Sequence, residues 1–228
     1  GDSKMSPAVV LVYSLDEILS VQYDKTKVYV TLESKVFGIG VESYTVGSHE
    51  FCMGYVMKAN KDHIIMTLDT GHYHPTEVPG DKVSAVLQFV PELMLHVSRP
   101  IRWDSDHVTI MDDMTQDLFS EIVRAGALDR VHYGLDFFDG SINRIGAYVI
   151  GSRSAQKCMC KALLEPRALI SKLELEGDTF QVLQLIEEGK TMPWNAVYDE
   201  FCVRNGVPVG NEVIAAIKEY EKTVLSNR

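Results

Sequence analysis

The chain has 228 residues, 46% of them hydrophobic, enough to bury a sizeable core and too apolar for a disordered chain. Its formal net charge of −10 argues against a nucleic-acid surface, which needs clustered Lys and Arg. No apolar run reaches the ~18 residues of a membrane span, and no basic-then-apolar leader precedes the first elements.

The first strand signal is Val28-Tyr29-Val30-Thr31-Leu32, β-branched and aromatic, ending at Glu33. Gly38 and Gly40 break the chain, and a mixed segment runs through Tyr55. These two glycines lack the third glycine and helix start of a dinucleotide loop, so a nucleotide reading is rejected. A second strand covers residues 63–68 and ends at Asp69. Thr70-Gly71 forms the turn, and Pro75 and Pro79 mark a loop. Asp81 is the expected N-cap of a helix through Val83, Val86, Leu87 and Val90.

Leu93-Met94-Leu95-His96-Val97 is the third strand, closed by Pro100. A loop then carries Trp103-Asp104-Ser105-Asp106-His107, followed by a short apolar run over residues 108–111. Asp112 or Asp113 caps a helix through Leu118, Ile122 and Val123, ending near Gly126. Val131-His132-Tyr133-Gly134-Leu135 is the fourth strand, ending at Asp136. Helical pattern dominates from about Ile142, broken near Pro166, Gly177, Pro193 and Gly206-Val207-Pro208.

Strand–helix alternation of this spacing implies parallel strands covered by helices. Four such units make half of a (βα)₈ barrel of the TIM type. The expected organisation is an α/β half-barrel over residues 1–151 and a C-terminal helical extension over residues 152–228. No internal repeat or low-complexity stretch is present. The chain starts Gly1-Asp2-Ser3-Lys4-Met5, without an initiator Met, which reads as processing or as a piece of something longer.

Glu33, Asp69, His72, His96, Asp104, Asp106 and Asp136 lie at or beside the ends of these strands. In a barrel of this kind the strand C-termini carry the chemistry. Taken singly each is weak: a strand-end Asp is commonly a cap or turn residue, and a His in an apolar run is commonly a hydrogen-bonded core residue. Together they differ, because several acids and two imidazoles facing one space need a cation to coexist. Asp69-x-x-His72 and Asp104-x-Asp106 each offer two ligands from one turn, which points to two metals. Oxygen-rich ligation with some imidazole favours Mn²⁺, with Mg²⁺, Co²⁺ or Zn²⁺ as alternatives.

Lys35 shares the face of Glu33 if the strand continues, where it would hold a substrate oxygen. A solvent-facing lysine is the equal alternative. Trp103 is either a wall for the apolar face of a sugar or core packing. His49, His74 and His107 flank the loops without fitting the two ligand groups. Cys52, Cys158, Cys160 and Cys202 lack Cys-x-x-Cys spacing, and unpaired thiols fit a reducing cytoplasm. Cys158 and Cys160, two apart in a helical run, point to different sides. The acidic excess serves solubility, or gathers carboxylates for cations.

Several long segments are similar to the L-rhamnose isomerase family. They are residues 33–40, Glu42-Ser43-Tyr44-Thr45-Val46-Gly47-Ser48, Leu68-Asp69-Thr70-Gly71-His72-Tyr73-His74-Pro75-Thr76-Glu77, residues 96–107 and Gly134-Leu135-Asp136-Phe137-Phe138-Asp139. The resemblance runs from about Ser14 to the C-terminus, including Trp194 and Tyr220-Glu221-Lys222. It implies a manganese-dependent (βα)₈ barrel, similar to xylose isomerase and usually a homotetramer, that interconverts L-rhamnose and L-rhamnulose by hydride shift or through an enediol. It implies Glu33, Asp69, His96 and Asp136 at one metal and His72, Asp104 and Asp106 at a second. By the same resemblance Lys35 and Asp136 take the catalytic roles, and Lys35, His72 and Trp103 contact the sugar.

The match covers the second half of the family chain. The resulting expectation is a fragment or one part of a split protein, pairing with a complementing N-terminal half or a second copy. The alternative to an isomerase is a catalytically inactive metal-binding half-barrel. A metal-dependent phosphoester hydrolase on a similar barrel is disfavoured by Lys35 beside Glu33 and by the acidic surface.

Overall fold

The structure is a computed structural model and describes residues 7–24, 26–35, 47–59, 64–101 and 105–228. The chain divides into two compact units, Gly1–His107 with Ala127–Phe137, and Val108–Gly126 with Phe138–Arg228.

The first unit is built on four strands, β1 (Val30–Glu33), β2 (Ile64–Asp69), β3 (Leu93–Val97) and β4 (Val131–Leu135). They form one sheet in the order β1-β2-β3-β4, with every neighbouring pair parallel. This is the α/β, partial TIM-barrel arrangement expected from strand–helix alternation. Register places Met66, Leu93 and Val131 level on one face, followed by Leu68 and Leu95. Met66, Leu68, Leu93, Leu95 and Val97 are buried there. The opposite face carries Glu33, Thr67, Met94 and His132 on one level and Asp69, His96 and Gly134 on the next. That face is concave: the rings of Tyr29, just before β1, and His132, on β4, lie 5.4 Å apart although the strands are not neighbours.

Helices α1 (Pro7–Ser20), α2 (His49–Ala59) and α3 (Pro79–Val86) belong to this unit. The Ser48 hydroxyl accepts from Phe51 N at 3.2 Å and so caps α2. Cys52, Tyr55 and Val56 form the buried side of α2. Asp81 is not the cap of α3. The helix starts at Pro79, whose fixed φ suits the first turn and whose missing N–H needs no partner, with Val78 at the cap position. Strand β1 starts later than expected because an Asx turn precedes it. Asp24 Oδ1 accepts from Thr26 N at 3.0 Å, and Asp24 O accepts from Lys27 N and Val28 N. The start of the expected second strand, His63, lies outside the described residues.

The second unit is helical: α4 (Asp113–Arg124), α5 (Arg144–Leu164), α6 (Arg167–Glu176), α7 (Thr179–Thr191), α8 (Trp194–Arg204) and α9 (Asn211–Thr223). Asp112 caps α4, accepting from Thr115 N at 2.9 Å. The break at Gly177 is a left-handed C-cap, φ 78°. Packing groups α4 with the C-terminal helices. The reason is a set of contacts to the turn after α5 and the start of α6: Glu165 accepts from Ser120 Oγ and Arg124 Nε, each at 3.0 Å, and Arg167 Nη1 reaches Val123 O at 2.9 Å. Cys52, Cys158 and Cys202 are buried and Cys160 is half-buried, all as free thiols. No described helix is long and apolar enough to cross a membrane.

Candidate metal centre

Strand register gathers the first ligand group. Asp69 and His96 are direct partners across β2 and β3, Glu33 ends β1, and Asp136 follows β4 with its N–H bonded to Val97 O at 3.2 Å. Glu33, Asp69, His96 and Asp136 each present a ligand atom, all within 4.8 Å of one another. The imidazole is central. His96 Nδ1 lies 2.8 Å from Glu33 Oε1, 3.3 Å from Asp136 Oδ2 and 3.6 Å from Asp69 Oδ2.

Electrostatics follow from this crowding. Asp69 and Glu33 hold the imidazole proton and raise the His96 pKa to about 10, with Asp136 adding to the effect and burial opposing it. Burial pushes the Glu33 carboxyl up. The hydrogen bond from His96 and the charges of His72, His96 and Lys35 outweigh it, so Glu33 ends below its ordinary range.

Asp69 tests whether these residues suit a cation. It is fully buried. Its Oδ1 accepts from Gly71 N at 2.6 Å, while Oδ2 is buried without a hydrogen-bond partner. At 3.6 Å the His96 N–H attracts that oxygen but does not satisfy it. A buried, unsatisfied carboxylate oxygen facing two more carboxylates and an imidazole is stable only with positive charge among them. Three oxygen donors and one nitrogen suit a hard to borderline divalent ion, and no thiol takes part.

His72 stands beside this group. Its Nδ1 donates to Ser34 O at 2.9 Å and lies 3.7 Å from Glu33 Oε1. A carbonyl can only accept, so in the neutral ring the proton is on Nδ1 and Nε2 carries the lone pair a metal requires. Asp106 lies in a loop closed by the backbone bridge between Arg99 and His107. Its φ of 38° makes it the one non-glycine residue at positive φ among the described residues. Asp104 and Trp103 lie outside the described residues, so the second ligand group is seen only through His72 and Asp106.

Lys35 N donates to Gly47 O at 2.8 Å, and its charge acts on Glu33. His74 is tied into its own loop through Thr76 and Glu77, and His49 Nδ1 meets Tyr73 Oη at 3.3 Å. Two supporting residues escaped the sequence reading. Thr70 Oγ1 accepts from Ser98 N at 2.9 Å and donates to Ser98 O at 3.0 Å, so it links the ends of β2 and β3 just beyond Asp69 and His96. Ser34 acts through its carbonyl, which no side-chain pattern reveals.

A model of the L-rhamnose isomerase family matches residues 2–228. The chain belongs to that family. It is 62% identical over 226 residues to the L-rhamnose isomerase of Bacteroides thetaiotaomicron, covering 99% of this chain and 53% of the relative. It is 52% identical over 225 residues to the L-rhamnose isomerases of Escherichia coli and Shigella sonnei, with the same coverage. The chain thus spans about half the length of the curated relatives it matches.

Proposed function

We propose that this chain carries the metal centre of an aldose–ketose isomerase that interconverts L-rhamnose and L-rhamnulose. The observation that carries the reading is the buried Asp69 Oδ2, unsatisfied among Glu33, His96 and Asp136, in a chain of the L-rhamnose isomerase family. Glu33, Asp69, His96 and Asp136 would hold one divalent cation, and His72, Asp104 and Asp106 a second. Mn²⁺ suits such sites best, with Zn²⁺, Co²⁺ and Mg²⁺ as alternatives. Bound cations supply Lewis-acid polarisation of the sugar carbonyl and its neighbouring hydroxyl.

The chain's own residues do the rest. Lys35, close enough for its charge to act on Glu33, donates to a sugar oxygen. The Asp136 side chain is half exposed, so it can take a proton from a hydroxyl and return it whichever route the hydrogen follows between C1 and C2. His72 and Trp103 line the sugar. The setting is a cytoplasmic enzyme that works as a homo-oligomer, a tetramer in the complete family, or with a complementing N-terminal half.

The alternative reading is a metal-binding chain without turnover. The test is incubation of the chain with L-rhamnose and Mn²⁺, reading ketose formation and metal content together. Ketose formation supports the isomerase, and bound metal without ketose supports the second reading. Absence of both overturns the metal centre.

A further inference from the structure

Gly134 sits in the middle of β4, directly opposite His96 on β3, on the ligand-bearing face. Its backbone does not lie in the left-handed region, so its conformation does not call for glycine. Glycine inside a strand weakens it, and commonly marks a place where another group approaches closely. Here the approaching groups are side chains. A Cβ at this position would lie 2.6 Å from Met94 Cε and 3.4 Å from His96 Cδ2.

From this juxtaposition we infer that Gly134 is a positioning residue: its missing side chain leaves the slot in which the His96 ring lies, with Nδ1 turned toward Glu33, Asp69 and Asp136. The inference rests on the reading of these four residues as metal ligands. The effect is steric. His96 Cδ2 is the ring edge nearest β4, while Nδ1 makes the 2.8 Å contact to Glu33 on the far side. Bulk added at residue 134 therefore pushes from the edge opposite the ligand atom. An alanine methyl first meets the flexible end of Met94, which can swing away. A β-branched side chain extends further and reaches the ring itself. The strand would accept it, since valine favours extended backbone more than glycine does. Strand propensity and ligand geometry thus pull in opposite directions at this residue.

The test uses the full chain as wild type, Gly134→Ala, Gly134→Val, Met94→Ala and the double variant Met94→Ala/Gly134→Val. Three quantities are read: Mn²⁺ affinity by titration calorimetry, the urea midpoint of the metal-free protein, and the His96 imidazole resonances in ¹⁵N-histidine-labelled, metal-free protein. Gly134→Val is expected to weaken Mn²⁺ binding about 10–100-fold, the range seen when groups that orient a ligand are altered. Gly134→Ala is expected to weaken it less. The His96 resonances shift in Gly134→Val while the urea midpoint holds or rises. The double variant stays weak relative to Met94→Ala alone, because the ring and not the methionine is what the valine meets. Wild-type Mn²⁺ affinity in Gly134→Val with unshifted His96 resonances overturns the inference, as does full recovery in the double variant. Should Gly134→Val not fold, the double variant, relieved of the Met94 contact, gives the same reading. Failure of the wild-type chain to bind Mn²⁺ sinks the metal reading instead, and the His96 resonances still decide the steric claim.

Discussion

Replacing Asp69 by Asn tests a charge that the proposed metal centre would need. The amide keeps Oδ1, so the 2.6 Å bond from Gly71 N survives. At Oδ2 it exchanges a buried, unsatisfied anionic oxygen for an NH₂ that can donate to the neighbouring carboxylates. Relief of that oxygen and loss of its attraction to the protonated His96 ring oppose each other, so metal-free stability is expected to change little. Metal-linked stability is expected to collapse. At a free Mn²⁺ concentration 100 times the dissociation constant, binding adds about 2.7 kcal/mol to the wild-type chain. For a chain of this size that is a shift of roughly 5–11 °C in the unfolding midpoint. Altering a group that merely orients a ligand weakens binding by up to about 100-fold, and losing a charged ligand does at least as much. At the same Mn²⁺ concentration the variant then keeps only about 0.4 kcal/mol, or ~1–2 °C. Thermal unfolding of both proteins with EDTA and with Mn²⁺ measures the difference. An Asp69→Asn variant stabilised by Mn²⁺ as much as wild type would refute the reasoning. So would a metal-free variant several degrees less stable than wild type, because Asp69 would then be structural.

Thr70→Val removes the hydroxyl that accepts from buried Ser98 N. The orphaned N–H should destabilise the sheet unit by about 1–3 kcal/mol, seen as a lower urea midpoint. Asp112→Ala removes the cap on Thr115 N and should lower stability by about 1 kcal/mol, seen as a lower urea midpoint of the helical circular dichroism signal. Burial raises the Cys158 thiol pKa from 9.0 to about 12, with Asp112 adding to it. Below pH 9 the thiol is neutral in both states and this group leaves stability unaffected. Between pH 9 and about 12 only the unfolded chain ionises, so stability falls as pH rises. At pH 8 a disulfide reagent should modify Cys158 much more slowly than an unperturbed thiol, and rapid labelling in native protein would contradict the burial.

What could be read from the chain alone divides along physical lines. Strands β3 and β4 fall where their short apolar runs between turn signals place them. β1 begins two residues later than its apolar run because the Asp24 turn holds the chain back, leaving Val28 half exposed. Helix α2 was hidden in a segment without clean periodicity. Its signal was Ser48 followed by Glu50 in the first turn. At α3, Pro79 outweighed Asp81 as the starting signal. The candidate ligands stand out as strand-end acids and imidazoles, since strand ends can be recognised one strand at a time. The contacts of Thr70 and Ser34, and the role proposed for Gly134, depend on which residue lies beside which across strands, and single-strand patterns carry no such information.

The diagonal placement of the ligands across the sheet has a consequence for how the sheet finds its pairing. A slip of one residue between strands turns a hydrophobic row to the wrong face and is heavily penalised. A slip of two residues leaves every side chain on its proper face, so apolar patterning opposes it weakly, most of all at β2, where both faces are buried. Such a slip would nonetheless carry a ligand about 6.6 Å along its strand, further than the whole set is wide. Under the proposed function, cation binding would therefore be a gauge of register: it would distinguish the native pairing from the very mispairing to which hydrophobicity is blind.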